Sequence, residues 1–372
     1  MTPNPTKRSP RFLTCLLALV FSAGSYAQYK NPADRYANAY KEYQDASCPI
    51  KEGDGIQHFV YFARDRGSIH DHAFLQNERF AGAQIMYPWT HLERSKGDYD
   101  FSSIQDDYDY LKSKGRRLFV QLQDATFVPN FKGAPAYLEA DEYRGGFAPL
   151  LKENGEIEGW VAKRWNPAVR ERFTRLLLAL GEAFDGKIEG INLQETAAGG
   201  SGESAPTFSP ESYVSAIKSN MRALKSAFPN TTTIQYANFM PGEWLPWEDL
   251  GYLKSIYEYG EEIGVGLGAP DLMVKRRGQL NHALAMMHEV EYTVPLGIAI
   301  QDGNYIGMTG ADYAVGEEPE PISKELAEKK INLVPSLHAF AKDFLKVRYM
   351  FWVNEEPYFE THVLPCFGHK HN

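Results

Sequence analysis

Cysteine is scarce: there are three in 372 residues, too few for a small disulfide-built scaffold. Long apolar runs are also missing. The longest, Phe12 to Phe21, falls short of the ~20 residues that cross a bilayer. No block of Lys or Arg forms a basic stripe, and the net charge is -9, so a nucleic-acid partner is excluded. No Gly-rich loop joins an early strand to a helix, so nothing marks a nucleotide site. There is no G-x-S-x-G elbow, no His and Cys group at metal-ligand spacing, and no internal repeat.

The short apolar run follows Lys7, Arg8 and Arg11, and small residues close it at Ser25-Tyr26-Ala27. That is the layout of a signal peptide over residues 1–27, with the mature chain starting at Gln28. The expectation is a secreted or periplasmic protein with no membrane partner. Cys15 leaves with that segment. Cys48 and Cys366 remain, and two cysteines in an exported chain suggest one disulfide.

Hydrophobic residues make up 43% of the chain and aromatics 13%, enough for a large core and an aromatic-lined cleft. Tyr36, Tyr40 and Tyr43 recur at helical spacing, which predicts a helix over 31–46. Eight apolar segments follow: 58–65, 82–89, 117–124, 188–196, 233–238, 265–271, 295–302 and 348–355. Helical patterns separate most of them, at 103–114, 167–184, 210–228, 247–262, 277–289 and 324–345. Asn166-Pro167 and Ser209-Pro210 read as a cap followed by Pro at the first helical position, and Ser323 as a further cap. Alternating strands and helices imply a parallel sheet, and eight repeats imply a single (β/α)8 barrel over 28–372. A doubly wound open sheet is the alternative.

The segments end in polar or aromatic residues, and in a (β/α)8 barrel the C-terminal rim carries the site. Those ends are Asp65; Trp89 with Glu93; Gln123 and Asp124; Gln194 and Glu195; Asn238 and Glu243; Asp271; Gln301, Asp302 and Asn304; and Trp352, Asn354, Glu355 and Glu356. Carboxylates, amides and Trp are what a sugar needs: hydrogen bonds to hydroxyls and flat faces against the ring. Glycosidic cleavage needs two carboxyls. Trp244 follows the fifth segment, where it either walls a cleft or packs a helix.

The block from Tyr87 to Gln123, YPWTHLERSKGDYDFSSIQDDYDYLKSKGRRLFVQLQ, resembles the second and third strands of TIM-barrel glycoside hydrolases in the large retaining clan. In that clan the proton donor is a Glu directly after an Asn at the end of strand four. The resemblance carries the role to Glu195, although Gln194 stands where the Asn would be. The clan's nucleophile, a Glu at the end of strand seven, maps onto Gln301, which cannot serve. Asp302 or Glu355 could replace it, or the chain could bind sugar without cleaving it. The expected catalytic residues are thus Glu195 with either Asp302 or Glu355. The strand ends and the residues beside them supply the expected sugar site: Trp89, Gln123, Asp124, Gln194, Asn238, Trp244, Asp271, Asn304 and Trp352. No metal, no cofactor and no second subunit are expected, so the picture is a monomer with a carbohydrate substrate.

Overall fold

A computed structural model describes residues 35–152, 154–196, 207–245, 247–301 and 333–368. The expected signal peptide, the Ser323 cap, Asp302 and Asn304 lie outside the described residues.

Eight parallel strands close into a barrel: β1 (Gln57–Tyr61), β2 (Phe80–Pro88), β3 (Arg117–Gln123), β4 (Gly190–Leu193), β5 (Thr232–Tyr236), β6 (Gly266–Ala269), β7 (Leu296–Ile300) and β8 (Tyr349–Val353). Each follows its predecessor around the ring, and β1 pairs with both β2 and β8. The strands read as unbroken apolar runs because both faces are covered, one by the lumen and one by the helices.

Ring contacts show what fills the lumen. Phe119 on β3 lies 5.7 Å from Phe59 on β1 and 4.9 Å from Phe351 on β8. Those strands are not neighbours, so the contacts run across the barrel. The packing explains Gly190 on β4, where a Cβ would meet the Phe119 ring at 2.3 Å. Two residues further along β4, the filling turns polar. Gln84 of β2 donates to the Asn192 carbonyl oxygen (2.9 Å) and to the Tyr236 hydroxyl (3.3 Å).

Helices α1 (Ser102–Ser113), α2 (Pro167–Phe184), α3 (Pro210–Ala227), α4 (Tyr252–Ile263), α5 (Arg277–Asn281), α6 (Ala283–Glu289) and α7 (Val334–Ala339) are the longer helices among the described residues. Asn166 caps α2 by accepting from the Ala168 N–H, and Ser209 and Ser212 form a reciprocal box at α3. Both caps follow from the sequence.

Several expected elements differ. Where a helix is expected over 31–46, the described residues 35–46 hold one 3-10 turn, Ala39–Glu42. Tyr36 and Tyr43 still face inward, against Phe344 and Phe340. The helix expected over 277–289 breaks at His282 (φ -110°, ψ -102°). The one expected from Trp247 starts at Tyr252, because buried Glu243 accepts from the Leu250, Tyr252 and Leu253 N–H groups and fixes the first turn there. The third crossover carries a small antiparallel sheet of Ala125–Thr126, Phe147–Leu151 and Ile157–Ala162.

Cys48 and Cys366 are disulfide-bonded, with Cα atoms 4.7 Å apart. One precedes β1 and the other follows β8, which are adjacent in the closed ring.

Candidate active site

Three consecutive strands present the central groups. Glu195 follows β4, Asn238 follows β5, and Asp271 follows β6; all three line one cleft of about 540 Å³ at the C-terminal ends of the strands. The backbone beneath Glu195 is held residue by residue. The Gln194 carbonyl accepts from the Gln235 amide, the Glu195 carbonyl from Arg164, and the Thr196 carbonyl from the Tyr213 hydroxyl. The carboxylate is therefore delivered from a rigid strand end.

Asn238 donates its Nδ2–H to Glu195 Oε2 at 2.5 Å. Its carbonyl oxygen accepts from the Phe239 N–H at 3.0 Å, which fixes the amide's orientation. Among the described residues Asp271 has no hydrogen-bond partner, and Glu195 has only Asn238 for its carboxyl. Burial, then the nearby Asp271 charge, push the Glu195 carboxyl up to about 7 against the Asn238 bond. Burial pushes Asp271 up to about 6, with Arg276 opposing it. Desolvation favours the neutral acid at both groups, and the Asp271 charge adds to it at Glu195.

The walls are aromatic and aliphatic. Phe239 and Trp244 lie together on one side, ring centroids 6.0 Å apart. Leu150, Leu151 and Glu158 come from the third-crossover sheet, and Phe127 directly follows its first strand. Gln279, Gln301 and Arg276 complete the lining. Phe127 and Leu151 stay exposed, an apolar edge suited to a flat ligand.

Several residues assigned to the sugar site lie elsewhere. Trp89 is fully buried, donates to Glu93 at 2.8 Å and packs on Phe173. Glu93 also accepts from the Gly97 N–H and from Arg172, so the Trp and Glu of the recognisable block clamp a turn. Trp352 is fully buried and donates to His58. Asp124 is locked in a two-pronged pair with Arg164 (2.6 and 2.7 Å). Gln194 turns sideways to accept from the Asp124 and Ala125 N–H groups. Gln123 is buried and lies outside the cleft lining. Glu355 is half-buried beyond β8 and is also outside that lining. Asn238, Trp244, Asp271 and Glu195 do meet in the cleft.

Sequence reasoning missed Arg164, Arg276 and the wall from the third crossover. The last had a signal: an Asn154-Gly155 turn between two apolar runs marks a hairpin.

A group with metal-ligand reach lies at the other end of the barrel. Ligand atoms of Asp54, His58 and His338 fall within 4.8 Å of one another. The Trp352 N–H donates to His58 Nδ1, so neutral His58 carries its proton on Nε2 and gives it to Asp54. Arg79 also donates to Asp54, at 2.8 Å. These contacts make a hydrogen-bonded network whose charge is already balanced.

No family model matches the sequence, and the search of curated proteins found no match. Solved structures do match. The catalytic domain of β-amylase from Paenibacillus polymyxa has 8% identity, a TM-score of 0.50, and coverage of 80% of this chain and 92% of that one. Xylanase 10B from Thermotoga petrophila, in complex with xylobiose, has 13% identity, a TM-score of 0.48, and coverage of 81% and 83%. A psychrophilic glycoside hydrolase family 10 endo-β-1,4-xylanase has 12% identity, a TM-score of 0.46, and coverage of 86% and 89%. The likeness is one of fold. The closed eight-strand parallel ring with helices between its strands makes the chain a (β/α)8 TIM barrel, the fold that the Tyr87 block implies.

Proposed function

We propose that this chain is a secreted glycoside hydrolase acting on a polysaccharide or oligosaccharide. The observation that carries the reading is the Glu195–Asp271 pair: two carboxyls in one aromatic-walled cleft, both raised, at the rim where barrel enzymes do chemistry. Glu195, the position to which the resemblance carries the role, is the proton donor. Asp271 is the second carboxylate, in place of Asp302 or Glu355.

In the reaction Glu195 protonates the leaving glycosidic oxygen as the bond to the anomeric carbon breaks. The Asp271 carboxylate supports that carbon, as nucleophile or by taking a proton from water, and one water is added overall. Asn238 holds Glu195 in line, and Phe239 with Trp244 supply a face for a sugar ring.

The test is a polysaccharide screen for reducing-end release, with Glu195→Gln as control. Release by the wild type and none by the variant is expected, and the anomer formed first reports retention, the outcome the resemblance implies. Gln301 at the end of β7 favours a second reading, sugar binding without cleavage. Binding without release, unchanged by Glu195→Gln, selects it.

A further inference from the structure

The cleft lining holds one cation among the described residues, Arg276, and the fold places it on purpose-built ground. The chain leaves β6 through Asp271, turns with the Arg276 N–H donating to the Met273 carbonyl (3.2 Å), and enters α5. Arg276 is half-buried and lies close enough to Glu195 and Asp271 to lower both. It forms an ion pair with neither. Among the described residues its one side-chain hydrogen bond goes to the Met273 sulfur at 3.3 Å, a weak acceptor.

Three arginines elsewhere in the barrel are held by carboxylates. Arg164 is spent on Asp124, Arg172 on Glu93, and Arg66 on Asp107. A guanidinium brings five donors in a rigid fork shaped for a planar carboxylate. Arg276, which among the described residues meets only a thioether sulfur, presents that fork to the cleft.

We propose that Arg276 anchors an acidic sugar, so that the substrate class is a uronate-bearing polysaccharide. The inference rests on the hydrolase reading above. It also fits the raised carboxyls, since a partly protonated pair repels an anionic chain less than two full charges do. Sulfated sugars share the anionic chemistry, but the forked geometry favours a carboxylate.

The experiment uses matched polymers: polygalacturonate, alginate and oxidised cellulose, each before and after chemical reduction of its carboxyl groups, with carrageenan as a sulfated arm. Reducing-end release and calorimetric binding are measured for wild type and Arg276→Met. The expected result is that one uronate polymer is cleaved and its reduced form is disfavoured by about 10- to 100-fold in kcat/KM. In Arg276→Met that preference disappears: KM for the uronate polymer rises to the value for its reduced form, and calorimetric binding no longer separates the two forms. Equal action on both forms, or action on carrageenan alone, overturns the inference and leaves the hydrolase reading standing. So does an equal loss on both forms in Arg276→Met, which would make the arginine a tuner of the acid pair. No binding or cleavage of any polysaccharide removes the hydrolase reading, and this inference with it.

Discussion

Before β1, Asp54 gathers the Ile56 N–H on one oxygen and Arg79, His58 and His338 on the other. After β6, at the opposite end of the barrel, Asp271 has no such partner among the described residues. Burial by itself would raise Asp54, but the bonds from His338 and His58 outweigh it and hold the carboxyl well below the usual range. At Asp271 burial prevails and the carboxyl rises. The same side chain in two half-dry places thus ends in opposite protonation regimes, and the local donors decide which. The difference separates carboxylates that hold the barrel together from those free to exchange protons.

The sharpest way to break the comparison is to neutralise each carboxylate. Glu195→Gln and Asp271→Asn should each lower kcat by about 10²- to 10⁴-fold, with thermal unfolding still cooperative. For Glu195→Gln the loss should be largest on poor leaving groups and smallest on activated aryl glycosides. Equal cleavage of both by the variant would remove Glu195 as the acid.

Asp54→Asn should do the reverse. It leaves Arg79 without its counter-charge, a loss of about 3 kcal/mol, measured as a lowered denaturant midpoint at pH 7, while kcat of the folded fraction holds. Because the native Asp54 carboxyl lies below its unfolded value, its contribution is present above about pH 4 and lost as pH falls further. The variant's stability should therefore depend less on pH in that acid range.

A smaller effect has the opposite sign. Glu195 binds its proton more tightly in the native state, so its contribution is present below about pH 4.5 and fades as pH rises toward about 7. Glu195→Gln should thus be more stable than wild type at pH 8, by up to about 3 kcal/mol, and no different at pH 4. A melting-temperature series across that range reads the crossing.

The mildest test needs no mutation. The pair predicts a bell-shaped rate, with a rising limb near 6 and a falling limb near 7. Both limbs belong to the coupled pair. A rate that stays flat to pH 9 excludes Glu195 as the working acid.

Much of this was legible in the sequence. Each barrel strand falls within or beside its expected apolar segment, because a strand covered on both faces must be apolar throughout. Glu195 was legible because it ends such a run. The pairing with Asp271 was not, since it depends on β4 and β6 flanking β5 in the closed ring, which brings together residues far apart in the chain. Trp89, Asp124 and Trp352 misled for a related reason. A strand end can aim a polar or aromatic group into the cleft or back into the shell, and here Glu93, Arg164 and His58, the last two distant in sequence, draw them back.

The Cys48–Cys366 bond has a consequence for how the molecule comes apart. It turns 318 residues of sequence separation into one covalent ring. A single proteolytic nick inside that ring, for instance beside the exposed Phe127, opens the loop but releases no fragment. The halves stay tethered and can close the barrel again, and a gel shows two pieces only after reduction.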